Sequence, residues 1–335
     1  GNNKYKELIN SVIKSNLYSL TSIKEYEVTS EPKELLSAIE KLIVSQNTND
    51  TISDDVFDLP FSELMKKAKE GDSEAQRRVG LCYEDGKDVF PDYTEAVKWY
   101  KLSAKQGNSL AQLRLGVCYE EGIGCLIDYD EALYWYKLSA KQGNSDACVI
   151  IGVMYYYGDE IDQDTDEAYK WFKIAAEKNN TNGMFLLGVC YFHGNGVLQD
   201  YSQAYKWFML AANKGSESSQ FYLGLCYKRG LGVYQDYKEA VKWFSLSAEN
   251  GDEDGQCYLG ISYYKGEGVN RDLSKAVGWF KLAAEQGQPF AQYNLGICYL
   301  KGDGVPQSRT EAKKLFQKAA SANNTEAIKI LKELF

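Results

Sequence analysis

A glycine returns at one fixed interval along this chain: Gly80, Gly116, Gly152, Gly188, Gly224, Gly260 and Gly296 are each 36 residues apart. The six tryptophans keep the same interval, at Trp99, Trp135, Trp171, Trp207, Trp243 and Trp279, with Leu315 in the seventh place. Seven copies in perfect register mark a chain built from one small unit stacked on itself. Each unit touches mainly its neighbours, so a slipped copy would spoil two interfaces.

The unit reads as two helices. In the copy that holds Gly116, the residues Ala111, Leu115, Cys118 and Tyr119 follow the i, i+4, i+7 spacing of a buried helical stripe. Gly116 itself predicts a place where a neighbouring backbone comes close. A break with glycines follows, such as "GIG" at 122–124 or "GNGV" at 194–197, suited to a turn with positive φ. The second helix opens with an Asp and, three residues on, a Glu or Gln: Asp92 and Glu95, Asp128 and Glu131, Asp164 and Glu167, Asp200 and Gln203, Asp236 and Glu239. That pattern predicts a reciprocal capping box, and Asp272 with Lys275 breaks it, which predicts a weaker helix start there. Asp88 and Ile161 predict altered turns in the first and third copies. Gly107, Gly143, Gly215, Gly251, Gly287, Asn179 and Asn323 are placed to end the second helices in the left-handed conformation.

The shared pattern A-x-x-x-L-G-x-x-Y-x-x-G-x-G-V-x-x-D-x-x-x-A-x-x-W-[YF]-x-x-[AS]-A-x-x-G resembles the Sel-one-like repeat (SLR), a relative of the tetratricopeptide repeat (TPR). The resemblance implies an all-α fold, a right-handed α/α superhelical solenoid of seven 36-residue helix-turn-helix repeats, usually a scaffold or adaptor for protein–protein interaction with no chemistry of its own. The expected organisation is a helical or irregular N-terminal extension at 1–59, an N-terminal half-repeat cap at 60–74, seven repeats at 75–326 and a capping helix at 327–335. Within the extension, 5–18 and 32–45 read as helical and 45–55 as a linker. In the C-terminal helix, Lys332 replaces the periodic glycine, as suits a terminal cap.

Composition narrows the partner. A net charge of -9 and a pI near 5.0 argue against general nucleic-acid binding, which needs an excess of cations. No apolar run is long enough for direct membrane insertion, and no signal peptide is visible. His193 is the only histidine, so no paired-histidine metal site exists and no cofactor or metal is expected. Glycine pairs at 194–196, 230–232 and 266–268 follow no strand and read as turns rather than phosphate loops. Five of the eight cysteines, Cys82, Cys118, Cys190, Cys226 and Cys298, share one stripe position that Met154 and Ser262 also fill. Exchange with Met reads as core packing. A cysteine-rich, penicillin-binding branch of the SLR family joins its helices by disulfides; this chain lacks the second periodic cysteine that branch implies. Cys125, Cys148 and Cys257 are off-register, and a Cys125–Cys148 bridge stays open. Reduced thiols and a cytoplasmic or other reducing compartment are the expectation.

Scaffold residues hardly change between repeats, but others do. Counting Ala111 as position 1, positions 3, 7, 10 and 11 of the first helix lie opposite the buried stripe. By analogy with tetratricopeptide domains they line the concave surface. Positions 3, 10 and 11 pass from acidic (Glu84, Asp85, Glu120, Glu121) to aromatic (Tyr156, Tyr157, Phe185, Phe192, with His193) to basic with aromatics (Phe221, Lys228, Arg229, Tyr264, Lys265, Tyr293, Lys301). This drift predicts a groove that binds a peptide or partner-protein segment through apolar anchors and acidic groups, and that folding does not require. The competing reading packs these aromatics between repeats and leaves the lysines as solvated charge. A hydrolase of the penicillin-binding kind and a self-assembling structural protein are the alternatives from other classes.

Overall fold

The computed structural model describes Lys24, residues 59–158 and residues 161–335. The helices expected at 5–18 and 32–45, the linker at 45–55 and part of the turn before Ile161 lie outside the described residues. Sixteen helices and no strand occur among the described residues: α1 (Phe61–Lys69), α2 (Ser73–Asp85), α3 (Tyr93–Lys105), α4 (Ser109–Glu121), α5 (Tyr129–Lys141), α6 (Ser145–Tyr157), α7 (Thr165–Glu177), α8 (Thr181–His193), α9 (Tyr201–Ala212), α10 (Glu217–Arg229), α11 (Tyr237–Glu249), α12 (Glu253–Lys265), α13 (Leu273–Glu285), α14 (Pro289–Lys301), α15 (Arg309–Ser321) and α16 (Thr325–Leu334). The fold is an all-α solenoid of repeated helix pairs. It divides into two compact units, one ending at Trp207 and one comprising Phe208–Phe335 together with Lys24.

Each second helix begins with a side-chain cap. Asp92, Asp128 and Asp164 accept from the N–H three residues on at 3.0 Å. The second half of the expected capping box does not form. The cap residue's own N–H instead donates to a tyrosine carbonyl of the preceding helix, Asp92 to Tyr83, Asp128 to Tyr119, Asp272 to Tyr263, each at 2.9 Å. The Glu of the pattern turns outward: Glu95 and Glu167 pair with Lys98 and Lys170 at 2.6 Å, and Glu131 accepts from Trp135 Nε1 at 3.0 Å. Lys275 therefore costs the start of α13 nothing, since its N–H still donates to Asp272 at 2.9 Å, and the expectation of a weaker helix there is corrected. An orphan N–H needs one acceptor, and the reciprocal glutamate was never part of this joint.

The periodic glycine has a different reason from the one expected. What comes close is an aromatic ring, not a backbone. A Cβ at Gly116 would lie 2.5 Å from the Tyr136 ring, and at Gly152, Gly224 and Gly296 it would meet Phe172, Phe244 and Phe316 at 2.4–2.6 Å. In these repeats the ring of the second helix thus packs against the glycine of the first helix and is fully buried there. Burying such a side chain contributes about 1.5–3 kcal/mol.

In the turn, Gly124 (φ 69°) has no room for a side chain, because its Cβ would fall 2.1 Å from Tyr93 O at the start of the previous repeat's second helix. Asp88 holds the same slot in the first repeat and takes φ 65°, so this turn keeps its backbone form and the expected alteration is corrected.

Neighbouring repeats are tied by polar links as well as by the core. Gln112 Nε2 donates to Ala104 O at 3.1 Å and satisfies a carbonyl at the end of α3. Gln142 Nε2 donates onward to Gln112 Oε1 at 2.6 Å, and Ser139 Oγ to Ser109 O at 2.7 Å. In the other unit, Gln256 and Gln286 repeat the arrangement at 3.2 and 2.9 Å.

Candidate partner-binding face

The variable positions separate into three layers when built onto these helices. Position 3 is buried: Phe185 on α8, Phe221 on α10 and Tyr293 on α14. Phe221 packs against Phe244 of its own repeat and Tyr258 of the next, at 6.0 and 5.3 Å between ring centroids, and Tyr293 against Phe316 at 5.7 Å. Position 10 is buried at Tyr156, Phe192 and Lys228 and half-buried at Tyr264. Position 11 lies outermost: Tyr157 and His193 are half-buried, whereas Arg229, Lys265 and Lys301 are exposed.

Position 10 carries a link that the sequence reading did not contain. Asn195 donates to the Tyr156 hydroxyl at 2.6 Å, Lys228 forms an ion pair with Glu267, and the Tyr264 hydroxyl donates to Asp303 at 2.5 Å. In each case the partner stands 39 residues on, in the turn of the following repeat. The acidic start of the series also has a local cause. The buried hydroxyls of Tyr100 and Tyr136 donate to Glu84 and Glu120, the latter at 2.5 Å. From the third repeat onward the ring in that slot is Phe172, Phe208, Phe244, Phe280 or Phe316, and no hydroxyl asks for a carboxylate. At position 10 the drift therefore serves packing between and within repeats, which corrects the expectation that folding has no use for it. The signal was present as a paired change between position 10 and the residue 16 places later.

Within the unit ending at Trp207, Tyr156 and Tyr157 stack edge to face at 5.5 Å, and Phe192 meets His193 at 5.0 Å and Tyr201 at 5.2 Å. His193 Nε2 is buried without a hydrogen-bond partner among the described residues, and burial lowers its pKa, so the ring is neutral. In the unit from Phe208, Arg229, Lys265 and Lys301 occupy one slot of three successive repeats. Lys265 lies 3.9 Å from Glu267, which also meets Lys228.

Sequence reasoning also missed Asn294. It sits in the middle of α14, fully buried, where the first two repeats carry Arg78 and Arg114 and the next four Ile150, Leu186, Tyr222 and Tyr258. Its amide grips the main chain of Lys24, 270 residues away: Nδ2 donates to Lys24 O and Oδ1 accepts from Lys24 N, both at 3.0 Å. Lys301, seven residues further along the same helix, lies on the same side. An amide in a slot that the four preceding repeats fill with Ile, Leu or Tyr was the available clue.

The described cysteines are poor nucleophiles. Burial pushes the thiols of Cys118, Cys190, Cys226 and Cys298 up to about 12 and that of Cys148 to about 11, far from the reactive thiolate range. All eight cysteines are free; Cys125 donates to Cys118 O and Cys148 to Asn144 O, so the two are not bridged. Among the described residues no three metal-ligating side chains converge, and no helix is long and apolar enough to cross a membrane.

Comparison with known proteins agrees with this architecture. The Sel1 repeat model matches seven consecutive segments, 73–108, 109–144, 145–180, 181–216, 217–252, 253–288 and 289–324. Among solved structures, a protective antigen of uropathogenic Escherichia coli displaying an SLR fold is similar over 83% of this chain, with 35% identity and a TM-score of 0.74; the chain spans 59% of that protein's length. A Sel1 repeat protein from Oxalobacter formigenes is similar over 95% of this chain and 99% of its own, with 29% identity and a TM-score of 0.73. No curated protein sequence gave a significant match. With seven matched repeats accounting for residues 73–324, the chain belongs to the Sel1 repeat family.

Proposed function

We propose that this protein is a non-catalytic scaffold that holds an acidic, extended segment of a partner protein against the outer faces of its first helices. Sel1 repeat proteins are in general protein–protein interaction scaffolds. The observation that carries the reading is the row of exposed cations, Arg229, Lys265 and Lys301, at one slot of three successive repeats in a chain whose net charge is -9. A basic row on an acidic protein selects acidic partners by repelling the rest and steering the match. Each exposed pair contributes only about 0.2–1 kcal/mol, so the row supplies specificity and approach, and aromatic contacts supply the remainder.

Half-buried Tyr264 offers ring surface beside Lys265 in that unit. In the unit ending at Trp207, Tyr157 and His193 offer surface to apolar anchors. Tyr156, Phe185, Phe192, Phe221, Lys228 and Tyr293 stand behind these residues as the packed layer that holds them. The test is a selection from a display library of random peptides. Acidic peptides enriched by the wild type and lost by an Arg229→Glu, Lys265→Glu, Lys301→Glu variant support the reading; enrichment without acidic bias, kept by the variant, sinks it.

A further inference from the structure

A buried amide that spends both its hydrogen-bonding atoms on one residue's main chain recognises extended backbone rather than a side chain. Asn294 does this to Lys24. Of the six sister repeats, four fill the same slot with Ile150, Leu186, Tyr222 or Tyr258 and two with Arg78 or Arg114, so stacking of the repeats does not need an amide there. An amide that no sister repeat carries, yet which here pairs with a residue 270 positions distant, has recognition as its use.

The sequence around Lys24 has the chemistry that the basic row calls for. It reads Ile23, Lys24, Glu25, Tyr26, Glu27, Val28: two carboxylates on either side of a ring, flanked by aliphatic residues. Lys301 shares a helix and a side with Asn294, and Lys265 precedes it by one repeat. We infer that Asn294 is a backbone-clamp site for an extended acidic and aromatic peptide, and that the segment at Lys24 is its tethered resident, which an external partner of the same character must displace. The inference rests on the proposed scaffold function and deepens it, because it names the partner motif and makes access to the site competitive.

The test uses the full chain, and trypsin cleaves after Lys24 itself. Asn294→Leu installs the residue of a sister repeat, so the array keeps its fold, which circular dichroism checks. With the clamp in place the Lys24–Glu25 bond is shielded; in Asn294→Leu, cleavage at that bond, followed by mass spectrometry, is expected to quicken about tenfold, the worth of two such hydrogen bonds. Lys24→Pro removes the N–H that donates to Asn294, one of the two bonds, and a labelled synthetic peptide spanning residues 19–30 is expected to bind this variant about threefold more tightly than it binds the wild type. Adding Asn294→Leu to Lys24→Pro removes that gain. Equal cleavage in the wild type and Asn294→Leu, or equal peptide affinity in the wild type and Lys24→Pro, overturns the inference. Acidic peptides that still bind through Arg229, Lys265 and Lys301 in either case show that only the tethered resident, and not the scaffold function, has failed.

Discussion

The phenol of Tyr136 donates to the carboxylate of Glu120 at 2.5 Å, across the two helices of a single repeat. Burial and the nearby carboxylate hold the phenol well above its ordinary pKa, so it stays a donor. Tyr136→Phe removes that donor from a half-buried charge and is expected to cost about 1–3 kcal/mol. Glu120→Leu combined with Tyr136→Phe reproduces the Leu300 and Phe316 pair of the seventh repeat and is expected to recover most of the loss. A double-mutant cycle in urea measures this; additive effects of the two changes would contradict the pairing.

Two glycines should respond in opposite directions to a side chain. Gly116→Ala drives a methyl into the Tyr136 ring and is expected to destabilise by about 1–3 kcal/mol. Gly278, exposed within α13, has nothing within 4 Å of a built Cβ, and sister repeats carry Lys242 or Lys314 there. Gly278→Lys is expected to stabilise by about 0.5–1 kcal/mol through helix propensity alone. Unfolding midpoints of the two variants decide, and a shift of the same sign in both would contradict the packing described.

Asp252 caps α12 through the Gly255 N–H, in the place of Asn108, Asn144 and Asn180. Burial, reinforced by the nearby Asp254 and Glu217 carboxylates, raises its pKa despite the hydrogen bond from the Gly255 N–H. A carboxyl raised on folding contributes stability at low pH that is lost as pH rises above the unfolded value of about 4. Asp252→Asn is therefore expected to stabilise the protein at about pH 8 and to flatten the difference between about pH 5 and about pH 8. An unchanged pH slope in the variant would show that Asp252 is not its source.

The period, the helix pairs and the end caps were legible because they depend on local chemistry: a side-chain oxygen for an orphan N–H at Asp128, a left-handed turn at Asn179. The reciprocal box at Glu131 was misread because its rival lay in another element, the Tyr119 carbonyl that takes the Asp128 N–H. The same applies to the candidate face. The exposed residues Arg229, Lys265 and Lys301 could be read from a helical wheel, but the commitment of Tyr156 to Asn195 and of Lys228 to Glu267 depends on how one repeat stacks on the next. Asn294 was invisible for the strongest version of this reason, since its partner is 270 residues away.

Thiol reactivity offers an independent check on the core. Cys82 and Cys125 are half-buried, whereas Cys118, Cys190, Cys226 and Cys298 are buried with pKa values pushed up to about 12. In the native protein at about pH 8, Cys82 and Cys125 are expected to react first with an aromatic disulfide reagent, and the buried four only as the repeats open. Peptide mapping of the labelled protein reads the order, and early labelling of Cys190 or Cys226 would contradict it.

The most direct measurement of the scaffold account is a titration of the tightest acidic peptide from the display selection into the wild type and into the Arg229→Glu, Lys265→Glu, Lys301→Glu variant, followed by fluorescence anisotropy. Loss of three exposed pairs is expected to weaken binding about tenfold or more, with the wild-type affinity falling as salt is added. Equal affinity in both proteins, unaffected by salt, would contradict a basic binding row on these helices.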